Sequence, residues 1–97
     1  MKKLKIVEIG QYNSYKLQTD DGKMVRLILE FYSMPKPKVG DEFFIDEKLL
    51  DRSSEYFVQP YAFEKTDIKL NDVQNDDIEI AVLKTENKTI VLKRLYG

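Results

Sequence analysis

Pairs of neighbouring carboxylates are the residues of this 97-residue sequence best suited to acid–base chemistry. The pairs are Asp20/Asp21, Asp41/Glu42, Asp46/Glu47 and Asp76/Asp77. Each lies in or beside a predicted turn, where aspartate is favoured because its side chain hydrogen-bonds the local backbone. A glycosidase-like acid and base need two carboxylates that face one cleft and have separated pKa values, which adjacency in sequence does not provide. The pairs therefore predict turns, no catalytic residues, and a protein that is not an enzyme.

Histidine and cysteine are both absent from the sequence. Their absence removes the commonest general base, disulfides, thiol nucleophiles and sulfur-ligated metals. The segment from Asp72 to Asp76 has the oxygen-bearing side chains of a calcium loop, but it lacks the glycine at the sixth position and has Leu83 in place of the twelfth-position glutamate. Glycine-rich nucleotide-binding loops and the hydrolase nucleophile motif are also absent. We therefore expect no metal and no cofactor.

Lysines and tyrosines could instead form a site for single-stranded nucleic acid. Such sites combine a basic stripe with exposed rings on which bases stack, at ~1–3 kcal/mol per base. If the first and last strands of a barrel were close, the stripe would comprise Lys3, Lys5, Tyr12, Tyr32, Lys36, Lys38, Tyr61, Lys93 and Arg94, with Lys2, Lys84, Lys88 and Tyr56 nearby. A solvated lysine face, with tyrosine rings packed into the core, explains the same residues.

The composition is that of a small folded protein with a balanced charge. Hydrophobic residues make up 42%, and 16 basic against 17 acidic residues give a net charge of −1, so no overall field attracts polyanions or anionic membranes. The start, from Met1 to Glu8, lacks the apolar region of a secretion signal, and no apolar run approaches the ~18 residues of a membrane span. We expect one domain over residues 1–97 and a cytoplasmic protein without a membrane partner.

Alternating apolar residues predict strands and two hairpins. Leu4 and Ile6 share one face and Val7 and Ile9 the other, which predicts a β-bulge near Val7 and a second bend at Gly10. In the first hairpin, a three-residue loop with Gly22 in the left-handed conformation pairs Leu17 with Val25 and Tyr15 with Leu27. The same rule applied to the last hairpin pairs Val82 with Ile90 and Ile80 with Leu92, with Asn87 left-handed. Its outer positions are then Ala81, Leu83, Val91 and Leu95, which a loop or a partner would cover.

Between the hairpins, the connector from Met34 to Asp41 contains two prolines and a glycine. The prolines lack backbone donors, so we expect neither a helix nor a paired strand, but a crossing over one end of the barrel. A short strand from Glu42 to Ile45 should follow, then one or two helical turns over Glu47 to Asp51, with a continued strand as the alternative. We expect strands on either side of Pro60, at Tyr56 to Val58 and Tyr61 to Phe63, and a surface loop from Thr66 to Asp77.

The order of these elements resembles the OB-fold and the S1-like domains of its superfamily. The resemblance depends on the hairpin region from Leu4 to Phe31 and on Lys38-Val39-Gly40-Asp41 leading into the next strand, and it covers about two thirds of the chain. It implies a small barrel and, in many such domains, oligonucleotide binding. This sequence differs in having one strand more than five and no clear middle helix, so no binding residue can be transferred one by one.

We therefore predict an all-β fold, an OB-like or Greek-key barrel of about five to seven antiparallel strands. The predicted core is Leu17, Val25, Leu27, Leu29, Phe31, Ile45, Val58, Phe63, Ile80, Val82, Ile90 and Leu92. The predicted function is non-catalytic binding of a protein partner or of a second copy of the chain, through Leu83, Val91 and Leu95. Single-stranded nucleic-acid binding is the alternative.

Overall fold

The structure is a computed structural model that describes residues 1–47, 61–67 and 80–95. Within these ranges the chain forms seven strands and no helix. The strands are β1 (Lys2–Ile9), β2 (Ser14–Thr19), β3 (Met24–Tyr32), β4 (Glu42–Ile45), β5 (Tyr61–Lys65), β6 (Ile80–Lys84) and β7 (Thr89–Leu95). The predictions for Lys48 to Pro60, and for the loop beyond Asp67, lie outside the described residues.

The seven strands close into a barrel in the order β1-β2-β3-β5-β7-β6-β4, with β4 paired to β1. This confirms the all-β barrel and the expected number of strands. The expectation of antiparallel strands is wrong for one pair, because β5 runs parallel to β3. The chain ascends in β3, descends in β4 beside β1, and ascends again in β5, and such a crossover is what a parallel pair requires.

The bulge and the first hairpin form as predicted. The pairing of β1 with β2 shifts between Ile6 and Glu8, which leaves Val7 as the extra residue. The resulting bend lets β1 pair with β2 along one side and with β4 along the other. In the hairpin Leu17 pairs with Val25, and Gly22 has a φ of +89°.

The last hairpin has a different register from the one predicted. Val82 pairs with Val91 and Leu83 with Ile90, and the last paired residues are Lys84 and Thr89. Four residues, 85–88, lie between them where a three-residue loop was predicted, and the Thr85 N–H closes this turn by donating to the Lys88 carbonyl at 2.9 Å. Asn87 is not among the described residues with positive φ. Since side chains alternate between faces, this slip turns Ala81 and Leu83 into the barrel, where both are fully buried.

The core is the barrel interior, and four aromatic rings meet in it. Phe43 makes edge-to-face contacts with Phe31 and Phe63, at centroid distances of 5.9 and 5.3 Å, and Tyr15 makes one with Phe31 at 5.8 Å. Of the predicted core, Leu17, Leu27, Leu29, Ile45, Phe63 and Leu92 are buried in the interior, Val25, Phe31 and Ile90 are partly buried against it, and Val58 lies outside the described residues. Val82 is buried and Ile80 partly buried, but the register of the last hairpin places both on the outer face of the sheet. The prediction omitted Leu4, Ile6, Tyr15, Phe43, Tyr61, Ala81 and Leu83.

As predicted, the connector is neither helix nor strand. It runs from the end of β3 to the start of β4, so it crosses the barrel end that also carries the β1–β2 turn and the β6–β7 turn (residues 85–88). We call this the connector end. Gly40, with a φ of +99°, donates its N–H to the Ile6 carbonyl at 2.8 Å, and the Ile6 N–H donates to the Asp41 carbonyl at 2.9 Å. These bonds attach the connector to β1 beside its bulge.

Candidate functional site

A groove lies at the connector end of the barrel. It has a volume of about 600 Å³ and is lined by residues 34–42, residues 83–88 and Ile90. The connector forms one wall and the β6–β7 turn the other. The pairing of Glu42 with Lys84 fixes the two walls next to each other.

Aliphatic residues form the floor of the groove. Met34 and Ile90 are partly buried where they pack against the core, whereas Pro37 and Leu83 are buried and expose little or no surface to a ligand. Val39, at the rim, is 60% exposed. No aromatic side chain is among the residues that line the groove in the described part of the chain. The floor can therefore accept aliphatic groups but provides no ring for stacking.

Four lysines line the walls: Lys36, Lys38, Lys84 and Lys88. All four are exposed, and none forms an ion pair with a carboxylate of the described residues. The Lys84 ammonium lies 5.1 Å from the ring centroid of Phe44. The groove thus presents several positive charges that the described carboxylates do not neutralise by direct pairing.

The acidic residues of the groove have other partners or point into the turn. The Asp41 carboxylate accepts a hydrogen bond from the Lys38 backbone N–H at 2.9 Å, and Glu42 pairs with Lys3 at 3.1 Å. Glu42 also raises the pKa of Lys3, mainly through their hydrogen bond. Glu86 is exposed in the β6–β7 turn. Of the acidic residues that line the groove, only Glu86 has a carboxylate without an ion pair or hydrogen bond to another described residue, so it alone remains to offset the lysines.

At the opposite end of the barrel, acids and bases are matched. Lys2 pairs with Glu47 at 3.6 Å, Lys3 with Asp20 at 3.7 Å, and Lys23 with Asp21 at 3.9 Å. The Thr19 hydroxyl donates to Asp21 and is the main cause of the lowered pKa of that carboxyl. A general acid needs the opposite shift. The carboxylate pair Asp20/Asp21 therefore serves a turn, and Asp76/Asp77 lies outside the described residues.

The residues predicted for nucleic-acid binding are not gathered into one stripe. β1 and β7 are separated by β4 and β6, so Lys3 and Lys5 lie across the barrel from Lys93 and Arg94, and the expectation that the terminal strands meet is wrong. Tyr12 and Tyr32 are 89% and 48% exposed, at the connector end. Lys36 and Lys38 lie in the groove, and Lys93 pairs with Glu64 at 3.8 Å.

Two predicted surface residues are buried. Tyr61 is 6% exposed, because its ring faces the barrel interior, and the Arg94 guanidinium covers it at 5.1 Å from the ring centroid. Leu83 is fully buried through the register of the last hairpin, so it cannot contact a partner. Val91 and Leu95 do lie on the outer face and are partly buried.

Sequence reasoning missed Val39, and it named Lys84 and Lys88 only as neighbours of a stripe that included Lys36 and Lys38, not as the second wall of a groove. The residue types were visible, but placing the two walls at one end of the barrel requires the strand directions.

The described residues contain no cluster of three or more acidic side chains arranged to hold a metal ion, and no helix among them could cross a membrane. Comparisons with protein-family models, with curated proteins and with solved structures found no match.

Proposed function

We propose that this protein is a non-catalytic binding module for another protein, and that the groove at the connector end receives the partner. The observation that carries the proposal is the combination of an aliphatic floor with lysines that have no ion-pair partner among the described residues. Interfaces place apolar contacts at the centre and polar groups at the rim. The groove has that arrangement.

Further exposed apolar residues lie at the same end of the barrel as the groove. Val39, Tyr12 and Tyr32 are 60%, 89% and 48% exposed, and Ile9, at the end of β1, is 39% exposed. Large apolar side chains left in water at one end favour a contact surface there. The outer residues Val91 and Leu95 would extend the contact only if the partner also reached the side of the barrel.

Single-stranded nucleic acid is the second candidate. It is favoured by the exposed rings of Tyr12 and Tyr32 at the same end as Lys36 and Lys38. The OB-like interpretation supports it, since the bulged first strand and closed barrel agree with that architecture. It is the weaker candidate, because the rings do not line the groove and Tyr61 is buried.

Photo-crosslinking tests the proposal. A photoreactive amino acid at Val39 should give a defined adduct with one protein in lysate, whereas the same group at Met24 should not. Met24 is a matched control because it is 52% exposed and lies at the opposite end of the barrel. An adduct with a second copy would identify the partner as the chain itself. No adduct at Val39, or equal adducts at both positions, would contradict the proposal.

The nucleic-acid candidate is tested by fluorescence anisotropy with labelled single-stranded DNA and RNA at low and high salt. Binding that weakens steeply with salt through counterion release would support it. No binding at low salt would eliminate it.

A further inference from the structure

We infer that the groove at the connector end binds an extended, acidic segment of the partner protein, with carboxylates against the four lysines and aliphatic side chains on the floor. This inference rests on the proposed function and adds the chemical class of the segment. It concerns the groove alone, not the side of the barrel.

The charge of the groove selects an anion. Lys36, Lys38, Lys84 and Lys88 lie on its two walls, and no described carboxylate pairs with any of them. Of the other described lysines, Lys2, Lys3, Lys23 and Lys93 pair with acids, whereas Lys5, Lys16 and Lys65 form no ion pair with a described carboxylate but do not line the groove. A ligand with carboxylates would supply the missing opposite charges on both walls.

The floor selects a peptide over a nucleic acid. Met34 and Ile90 on the floor and Val39 at the rim offer aliphatic contacts, and no ring lines the groove in the described ranges. Bases bind single-strand proteins largely by stacking on aromatic rings. Aliphatic side chains of a peptide, by contrast, gain from contact with an aliphatic floor.

The backbone of the connector has few free donors for an anion. Pro35 and Pro37 have no N–H. The N–H groups of Lys38, Gly40 and Asp41 donate to Asp41, Ile6 and Lys38, at 2.9, 2.8 and 3.1 Å. Anion recognition therefore depends on lysine side chains. Separate lysines fit several carboxylates spaced along a chain better than a single phosphate, which proteins often hold with a ring of backbone N–H groups.

Both walls are fixed before a ligand arrives. The connector is attached to Ile6 by two backbone hydrogen bonds, and the β6–β7 turn is closed by bonds between Thr85 and Lys88 at 2.9 and 3.1 Å. Walls that are already ordered lose little conformational entropy on binding. The entropy cost of binding then comes mainly from ordering the peptide.

The test is fluorescence anisotropy with a labelled peptide of alternating glutamate and leucine, a matched peptide of glutamine and leucine, and single-stranded oligothymidylate. The acidic peptide should bind, with an affinity that falls as salt rises, and the glutamine peptide should not. Lys36→Gln/Lys38→Gln should weaken binding about three- to tenfold, since exposed ion pairs are individually weak.

Lys5→Gln/Lys16→Gln is the matched control, because it removes the same charge from residues outside the groove and should change affinity less than about twofold. Val39→Glu places an anion at an exposed rim position and should abolish binding without unfolding the protein, as circular dichroism would show. Equal effects of the two double variants, equal binding of both peptides, or tighter binding of oligothymidylate would overturn the inference. A crosslink at Val39 without acidic-peptide binding would overturn it while leaving the proposed function intact.

Discussion

Tyr12 is a strained and exposed residue in the β1–β2 turn. Tyr12 and Asn13 have φ values of +57° and +61°, and the Ser14 N–H donates to the Gln11 carbonyl at 3.2 Å. Two successive residues with positive φ define a type I′ turn, which favours asparagine and glycine. The bond from the Leu29 N–H to the Asn13 carbonyl, at 2.9 Å, helps to hold the conformation. A tyrosine at this position destabilises the fold, and burial of its ring does not compensate because the ring is 89% exposed.

Replacing Tyr12 with asparagine should therefore stabilise the fold, by up to about 1 kcal/mol, because asparagine adopts left-handed backbone conformations more easily. The free energy of unfolding from urea titration measures the effect. Tyr12→Phe is the control and should change little, since it keeps the strain and removes only an exposed hydroxyl. A destabilised Tyr12→Asn protein would show that the ring makes a contact that stabilises the fold.

The hydrogen bond between Thr19 and Asp21 makes the stability of the first hairpin depend on pH. Thr19 is 6% exposed, its hydroxyl donates to Asp21, and it accepts the Lys23 N–H at 3.0 Å. The bond lowers the pKa of Asp21 below its usual value of 3.8. A lowered pKa in the folded state adds stability above the unfolded-state pKa, and this stability is lost as pH falls through the folded-state pKa.

Thr19→Val should remove that acid-dependent part of the stability and leave the Lys23 N–H without its side-chain acceptor. We expect a lower free energy of unfolding at neutral pH. We also expect a shallower fall in that free energy as the pH decreases below about 4. Urea titrations over this pH range measure both. Asp21→Asn should make the loss of stability at acidic pH shallower in the same way, and the double variant should have no further effect on it. A Thr19→Val protein whose stability falls at acidic pH as steeply as that of the original protein would contradict the role of the bond between Thr19 and Asp21.

At the scale of elements, the turn of residues 38–41 joins the connector to β1. The Asp41 N–H donates to the Lys38 carbonyl at 3.1 Å, and Gly40 has the positive φ that the third position of a type II turn requires. The same turn bonds to Ile6 beside the bulge. The wall of the groove and the bend of β1 therefore depend on one glycine.

Gly40→Ala should destabilise the protein by about 1–2 kcal/mol, because an L-residue is strained at a φ of +99° even though nothing lies near the added Cβ. Gly10→Ala is the matched control. Its Cβ would meet Ser14 at an ordinary 3.6 Å without a positive φ, so it should be neutral or slightly stabilising. Thermal and urea unfolding compare the two. Equal losses would show that packing, not backbone strain, decides the effect.

The hairpins show what the sequence could and could not predict. In the first, Gly22 fixes the loop and only one register places the apolar residues on one face, so prediction succeeded. In the last, no glycine marks the turn, and Ile80 with Val82 looks as apolar as Ala81 with Leu83. Period two alone cannot choose between such faces. The choice depends on pairing with β4, where Leu83 lies opposite Phe43.

The candidate site was predictable only in part, for a related reason. Lys36 and Lys38 were recognisable because prolines keep the connector out of regular structure and at the surface. The second wall depends on which strands close the barrel. That closure brings together segments distant in sequence, which local patterns do not encode.

For the whole molecule, stability depends on closing the barrel around Phe43. β4 joins β1 to β6, and Phe43 contacts the rings of Phe31 and Phe63 from the first half and the middle of the chain. Phe43 is fully buried, whereas its neighbour Phe44 is only partly buried on the outer face beside Lys84. A comparison of the two adjacent phenylalanines therefore distinguishes the contribution of packing inside the barrel from that of contacts outside it.

Phe43→Ala should cost about 3–5 kcal/mol, a large share of the ~5–15 kcal/mol that stabilises a small protein. Phe44→Ala should cost distinctly less, because its ring is still partly in contact with water in the folded state. Urea unfolding followed by far-ultraviolet and near-ultraviolet circular dichroism compares them. If the seven strands share one core, Phe43→Ala should lower both signals at the same, reduced midpoint, since strands on every side lose the same contact. Similar costs for the two variants would contradict the assignment of Phe43 to the interior. Separate midpoints for the two signals would contradict a single cooperative core.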